Sequence, residues 1–283
     1  MHPEIENMLG SHADFVQVDG RKLAYSEIRP PESKGTVLLL TGLSSKRFGW
    51  YKQFREFGKH YHTIALDNRD AGDSDLTTAP YTVADQADDA AAILRTLKVE
   101  KANVIGISMG GFMSLELTLR HPELVQKLVL VATSAGGKSS ARPHLNLIPF
   151  FLLLPLFGRN DAGTRAEMVY KRIMAPDFLG ANREESDIIK EIARYKPMSR
   201  AAYNRPLRAC QLHDAAARLD RINKPTLVIH GESDPLVPAA NGRNLAKNIK
   251  NARLIIYEKT GHIPIIERAA DFNRDVLNFL DEN

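Results

Sequence analysis

The chain has 283 residues, of which 43% are hydrophobic and 25% are charged, and its formal net charge is +4. This balance is ordinary for a globular domain and excludes the disordered and fibrous classes. Lysines and arginines are interspersed with acidic residues rather than clustered, so we expect no nucleic acid as a partner although the sequence pI is about 9.1.

Cysteine usage and the first residues of the chain indicate a cytoplasmic protein. Cys210 is the single cysteine, which excludes an intramolecular disulfide and a cysteine-rich zinc site. The opening MHPEIENMLG carries acids where a signal peptide has a basic and then an apolar segment. The apolar run 147–157 is too short to span a bilayer and contains two prolines, so we expect no integral membrane segment.

The strands are predicted from their apolar patterns, in chain order. Segments 15–18 and 22–28 are separated by Asp19-Gly20, a hairpin turn signal, and predict an antiparallel edge. From residue 36 onward the apolar runs lose their alternation, which is typical of strands buried on both faces of a parallel sheet. These runs are TVLLLT, HTIALD, ANVIGIS, KLVLVAT, PTLVIHG and ARLIIYE.

Segments with helical spacing lie between these runs. In 82–99, apolar residues recur at intervals of three and four, and Asp85, Asp88 and Asp89 are expected to face solvent near the helix start, where the helix dipole favours acids. The alternation of strands and helices predicts an α/β fold with a mostly parallel, doubly wound sheet.

The alternation of strands and helices lapses between residues 134 and 213, where helix-like segments such as 183–196 follow a glycine pair and several prolines. We interpret this stretch as a helical cap inserted over the carboxyl edge of the sheet, where open α/β sheets bind ligands. The predicted organisation is therefore a core formed by 1–133 and 214–283, with a cap formed by 134–213.

A serine between glycines marks the candidate active site. The run 102–108 is predicted to be a strand and the following residues a helix, which places Ser108 at a tight strand-to-helix turn within GISMG. Gly106 and Gly110 suit a strained turn that exposes the serine oxygen, and the Met109 amide at the helix start is a candidate oxyanion donor. Ser108 is the predicted nucleophile.

A serine nucleophile needs a base and an orienting carboxylate. Asp234 and His262 each follow a predicted buried strand, where catalytic loops belong, and are the predicted acid and base. Asp214 and Asp220 precede a strand and are weaker candidates, with Asp214 as the reserve choice. The histidines assigned to structural or surface roles are His60, His62, His121 and His230.

The order of these residues resembles the α/β-hydrolase family, whose members carry a serine at such an elbow followed by an acid and a histidine. The resemblance covers nearly the whole chain and rests on five motifs: TGLSS, DNRDAGDSD, GISMGG, HGESDPLVP and TGHIPIIE. It implies that the Leu43 amide is the second oxyanion donor, that Asp67 and Arg69 brace the loops, and that 134–213 form the cap.

Two positions depart from the family's pattern. Thr41 stands where many members have histidine before the glycine of the first motif, which puts the bracing of that loop in question. Asp70 stands where many members have glycine after the Asp-x-Arg triplet. A salt bridge or loop cap is the favoured role for Asp70, with a carboxylate near the pocket as the alternative.

The expected reaction is acylation of Ser108 by a small-molecule carboxylic ester followed by hydrolysis, with no cofactor and no metal. Part of the apolar run in the cap could line an acyl pocket or form the cap's own core. The candidates for the pocket are Phe150, Phe151, Leu153 and Leu154. Carbon–carbon bond hydrolase, lactonase, acyltransferase and perhydrolase activities use the same triad and stay open, as do a non-catalytic receptor and a homodimer.

Overall fold

The computed structural model describes residue 5, residues 13–147 and residues 161–282. The four candidate pocket residues, Phe150, Phe151, Leu153 and Leu154, lie outside the described residues. The strands in the described ranges are β1 (Asp14–Val18), β2 (Arg21–Ile28), β3 (Thr36–Leu40), β4 (His62–Leu66), β5 (Ala102–Ile107), β6 (Val125–Val131), β7 (Thr226–Gly231) and β8 (Ala252–Tyr257).

These strands form one sheet in the order β1-β2-β4-β3-β5-β6-β7-β8. The pairs β1/β2 and β2/β4 are antiparallel, and every other pair is parallel. The predicted α/β fold, a mostly parallel sheet with an antiparallel edge, is confirmed. Because β3 to β8 run parallel, the loops after them meet at one edge of the sheet.

Helices cover both faces of the sheet. In the described ranges they are α1 (Tyr51–Gly58), α2 (Val83–Thr96), α3 (Met109–Arg120), α4 (Ala162–Ile173), α5 (Phe178–Ala181), α6 (Arg183–Arg194), α7 (Arg200–Leu212), α8 (Ala240–Asn248), α9 (Pro264–Glu267) and α10 (Ala269–Asp281). None of these helices has the length and apolar character needed to cross a membrane.

The two faces of β3 show how the sheet is packed. Val37 and Leu39 belong to a hydrophobic cluster that includes Phe54 of α1. Leu38 and Leu40 point to the opposite face and belong to the cluster that contains Leu94 of α2. Because side chains alternate along a strand, a strand covered on both faces must be apolar throughout, which explains the unbroken run TVLLL.

Helix α2 begins at a capping box. Thr82 Oγ1 accepts the Asp85 amide at 3.2 Å, and the Asp85 carboxylate accepts the Thr82 amide at 2.7 Å. The prediction that Asp89 faces solvent is wrong, because its side chain is 6% exposed and accepts Arg69 Nε at 2.6 Å. The charge of Asp89 is neutralised by an arginine from the loop after β4, a contact between distant parts of the sequence.

Helices α4 to α7 lie between β6 and β7, and the chain leaves and rejoins the sheet at one place. The Ala215 amide donates to the Ala135 carbonyl at 2.8 Å, and the Gly137 amide donates to the His213 carbonyl at 2.9 Å. Gly136 and Asp214 form an isolated antiparallel bridge beside these bonds. The bonds lie at the predicted limits of the insertion, and the division into core and cap stays a prediction.

Polar side chains attach the inserted helices to the loops after β3 and β4. Lys46 Nζ donates to the Ile192 carbonyl in α6 at 3.0 Å. The hydroxyl of Tyr195 donates to Asp73 Oδ1 at 2.8 Å. Both anchoring loops emerge at the carboxyl edge of the sheet, so this part of the insertion lies against that edge.

Candidate active site

Ser108 occupies a strained turn between β5 and α3. Its backbone angles are φ 55° and ψ −118°, a conformation that is costly for a residue with a side chain. A Cβ atom at Gly106 would overlap the Gly110 carbonyl, and one at Gly110 would overlap the Leu40 carbonyl. The Ser108 amide donates to the Val131 carbonyl at 2.9 Å, which ties the turn to β6. The Ser108 side chain stays partly exposed at the sheet edge.

Asp234 follows β7, His262 follows β8, and their side chains are hydrogen-bonded. Nδ1 of His262 lies 2.7 Å from Oδ2 of Asp234. The other carboxylate oxygen accepts the amides of Leu236 and Val237, each at 2.9 Å. A carboxylate held in this way keeps the imidazole proton on Nδ1 and leaves Nε2 able to accept a proton.

Asp234 carries a charge at a site that is only 1% exposed. Burial alone would raise the pKa of this carboxyl, but the electrostatic interaction with His262 and the hydrogen bond from His230 outweigh it and lower the pKa to about 2. Nε2 of His230 lies 3.4 Å from Oδ2 of Asp234 and 2.7 Å from the Val237 carbonyl. The structural role predicted for His230 is thus to brace this carboxylate and its loop.

Glu267 holds the loop that carries His262, and sequence reasoning did not identify it. Its carboxylate accepts the Gly261 amide at 2.8 Å and the Ile263 amide at 2.9 Å, which flank the histidine. It also accepts the Ala175 amide at 2.7 Å, from the inserted region. Burial raises the pKa of Glu267 against the opposing effect of these bonds. An acid at the end of the GHIPIIE motif was the available signal.

The loop after β3 approaches Ser108 closely. A Cβ atom on Gly42 would lie 3.3 Å from Cβ of Ser108 and 3.9 Å from its Oγ. Leu43, whose amide is one of the two predicted oxyanion donors, follows Gly42 directly. Met109, whose amide is the second, is the first residue of α3, where backbone amides have no partner within the helix. Asn68 Nδ2 donates to the carbonyl and to the hydroxyl oxygen of Thr41, each at 3.3 Å. Asn68 therefore braces the loop that lacks the family's usual histidine.

Asp67 and Arg69 brace different elements. Asp67 is fully buried, is paired with the Arg47 guanidinium and accepts the Asp73 amide at 2.9 Å. Arg69 binds Asp89 of α2 and the Asp85 carbonyl. Together they join the loop after β4 to α2 and to the segment after β3.

Asp70 forms both a salt bridge and a loop cap. Its carboxylate accepts Arg205 Nε at 2.8 Å and Nη2 at 2.7 Å, which links the loop after β4 to α7. It also accepts the amide and the hydroxyl of Thr77, at 2.7 and 2.9 Å. Burial opposes ionisation of Asp70, but the hydrogen bonds from Arg205 and Thr77 outweigh it and lower the pKa.

The remaining candidates have other partners. Asp214, the reserve choice for the acid, accepts the Ala216 amide at 3.0 Å, whereas the partner of His262 is Asp234. His62 contacts Glu27 at 2.6 Å, and His121 contacts Asp88 at 2.7 Å. In the described ranges, no three His, Cys, Asp or Glu side chains are grouped as metal ligands would be.

A serine on a strained elbow and an Asp-His pair at the same sheet edge are the features of an α/β-hydrolase. Residues 35–269 match the sequence profile of the alpha/beta hydrolase fold, and the chain belongs to this family.

Similar proteins include several named hydrolases. The chain is 32% identical over 270 residues to "Putative carbamate hydrolase RutD" of Caulobacter sp. (strain K31), with 93% of this chain and 96% of the relative covered. It is similar in structure to the enol-lactonase from Burkholderia xenovorans LB400, with a TM-score of 0.83, 26% identity and coverage of 95% and 100%. A hydrolase from Pseudomonas aeruginosa PA01 gives a TM-score of 0.81, 25% identity and coverage of 96% and 99%.

Proposed function

We propose that this chain is a serine hydrolase that cleaves carboxylic esters of small to medium apolar substrates through an acyl-enzyme intermediate. The observation that supports this most directly is the 2.7 Å hydrogen bond between Asp234 and His262 at the sheet edge where Ser108 stands on a strained turn. A buried, charged carboxylate that orients a histidine, at the sheet edge that carries a partly exposed serine, is the arrangement expected of a hydroxyl nucleophile and its base.

In the proposed reaction, Nε2 of His262 takes the proton of Ser108 as the serine oxygen attacks the substrate carbonyl. Asp234 stabilises the resulting imidazolium, which then gives its proton to the leaving alcohol. The amides of Leu43 and Met109 donate to the tetrahedral oxyanion, and each such donor lowers the barrier by about 3 kcal/mol. Water then repeats the sequence on the acyl-enzyme and releases the acid. These steps require neither a metal ion nor a cofactor.

Carbamate hydrolysis is the second candidate, and the RutD relative favours it because the similarity extends over 93% of this chain. Esters, lactones and carbamates all present a carbonyl carbon to the same nucleophile, so the triad does not discriminate among them. Discrimination depends on the side chains that contact the acyl and leaving groups. The alternatives are carbon–carbon bond hydrolysis, acyl transfer, perhydrolysis and a role as a non-catalytic small-molecule receptor.

The test is hydrolysis of p-nitrophenyl esters from acetate to long chains by the purified protein and by Ser108→Ala. Turnover by the native protein with a preferred chain length, and its loss in the variant, is the expected result. A lactone and a carbamate are assayed in parallel to rank the substrate classes. Turnover by both proteins would disprove the role of Ser108. If the native protein turns over none of the esters, the lactone or the carbamate, the hydrolase proposal is overturned and a non-catalytic receptor is favoured.

A further inference from the structure

The inserted region contacts the loop of the predicted base through main-chain atoms. The amide of His262 donates to the carbonyl of Ile173, the last residue of α4, at 2.7 Å. A Cβ atom on Gly261 would lie 2.5 Å from the same carbonyl oxygen, so the two backbones approach each other closely. Ile173 and Met174 are buried in one hydrophobic cluster with Ile263. The end of α4 therefore lies directly against the loop that carries His262.

Glu267 adds side-chain bonds to this main-chain contact. Its Oε2 accepts the amides of Gly261 at 2.8 Å and of Ala175 at 2.7 Å, and its Oε1 accepts the Ile263 amide at 2.9 Å. One carboxylate oxygen is thus shared between the His262 loop and the segment that follows α4. Three converging N–H groups need acceptors on both oxygens, which a carboxylate provides and a primary amide does not.

The position of His262 depends on the residues that Glu267 holds. Glu267 binds the amide before His262 and the amide after it, and the carboxylate and the imidazole also interact electrostatically. The imidazole must meet Asp234 at one nitrogen, where the distance is 2.7 Å, and the serine proton at the other. A displacement of about 1 Å in such a group costs about a hundredfold in rate.

We propose that Glu267 is a positioning residue that couples the end of α4 to His262, so that the inserted region helps to set the orientation of the base. This inference rests on the proposed function of His262 as the base for Ser108. Glu267 acts only through the backbone that it holds and needs no contact with the substrate. The inserted region then contributes to the rate of the reaction and not only to the selection of substrates.

The first test replaces Glu267. Glu267→Gln keeps one acceptor oxygen and should lower kcat for the preferred p-nitrophenyl ester about tenfold, whereas Glu267→Leu keeps none and should lower it about a hundredfold. The value of kcat/KM should fall by the same factor as kcat, because ground-state binding is not affected. Rates are measured at a temperature at which circular dichroism shows each variant to be folded. Native kcat in folded Glu267→Gln would overturn the proposal.

The second test changes only the donor from the inserted region. Ala175→Pro removes the N–H that donates to Glu267, and Met174 already has φ −81° and ψ 171°, the extended conformation of a residue before proline. This variant should lower kcat about fivefold. In the Glu267→Gln background the same change should lower kcat by less, because two changes at one shared contact are not additive. Fully additive losses would contradict coupling through Glu267.

Two control variants change the inserted region without touching the bonds of Glu267. Glu185→Gln weakens the contact of α6 with Lys52 of α1, which measures 2.6 Å. Asp177→Gly alters the turn after α4 at a residue whose φ is 60°. Both variants should keep the native kcat. A loss of kcat in Glu185→Gln equal to that in Glu267→Gln would show that any weakening of the insertion slows the reaction, which would overturn the specific role of Glu267.

A proton resonance decides the question without turnover. The Nδ1–H proton in the bond from His262 to Asp234 gives a downfield signal, which is identified by its absence in His262→Gln. Glu267→Gln and Ala175→Pro are expected to shift this signal, and Glu185→Gln is not. An unchanged signal in both of the first two variants would overturn the inference. Absence of turnover by the native protein would instead disprove the proposed function.

Discussion

Asp234 accepts Nδ1–H of His262 at 2.7 Å while both side chains are almost completely buried. Asp234→Asn is expected to lower kcat for ester hydrolysis by about four orders of magnitude, because an amide holds the imidazole in the wrong tautomer. KM should change little, since substrate binding does not depend on this bond. Steady-state kinetics with a p-nitrophenyl ester provide the measurement, and a variant that keeps a tenth of the native kcat would contradict the orienting role.

The lowered pKa of Asp234 also predicts that the folded protein loses stability in acid. Its pKa is about 2 in the folded protein against an ordinary value of 3.8. A lowered folded pKa means that ionised Asp234 stabilises the fold fully above the unfolded pKa and that this stabilisation is lost as the pH falls through about 2. The difference corresponds to about 2 kcal/mol.

Urea unfolding of the native protein and of Asp234→Asn from pH 7 to pH 2 checks this acid-stability prediction. The native protein should lose stability between about pH 4 and pH 2 more steeply than the variant, which has no carboxyl to protonate. Parallel curves would show that Asp234 does not contribute to acid sensitivity.

Breaking the pair between Arg205 and Asp70 is expected to destabilise the protein. Arg205→Met leaves the fully buried Asp70 carboxylate without its cation and should lower the free energy of unfolding by about 3 kcal/mol. The double variant Asp70→Asn/Arg205→Met should lose less than the sum of the single losses. Lys34→Met provides the control, because Lys34 and Asp281 form an exposed pair whose loss costs under about 1 kcal/mol. Additive losses at Asp70 and Arg205 would refute the coupling.

Two glycines are expected to respond differently to alanine. At Gly42 the added Cβ lies 3.3 Å from Cβ of Ser108, so Gly42→Ala should displace the serine and lower kcat at least about tenfold with little change in Tm. At Gly110 the added Cβ overlaps the Leu40 carbonyl, so Gly110→Ala should chiefly lower Tm. Kinetics and thermal unfolding of both variants provide the measurement. Equal effects on Tm would show that Gly42 matters for packing and not for placing Ser108.

Asn68 is expected to affect the oxyanion through the loop it braces. Asn68→Asp removes the Nδ2 donor to Thr41 while keeping the size of the side chain. Loosening the Leu43 amide should lower kcat by about tenfold, which is less than the loss of a whole oxyanion donor, and leave KM nearly unchanged. Thr41→Val, which removes only the hydroxyl oxygen, is the matched control and should have a smaller effect. A rise in KM alone would place Asn68 in substrate binding.

The sequence predicted most of the sheet because each buried parallel strand must be apolar on both faces. It also placed Ser108, Asp234 and His262 after strands whose carboxyl ends meet, since strand order along a parallel sheet brings distant loops together. It failed for Asp89, because helical periodicity identifies the apolar face and does not reveal an arginine approaching from another loop. Glu267 was missed for the same reason, since its partners are backbone amides that only the fold brings close.

The paired bonds at Ala135–Ala215 and Gly137–His213 have a consequence for how such a chain can diverge. The chain leaves the sheet and rejoins it at these adjacent bonds. The length and sequence of the inserted helices can therefore change without shifting the register of any strand. The sheet can therefore stay unchanged in evolution while the insertion between β6 and β7 is replaced by a different one.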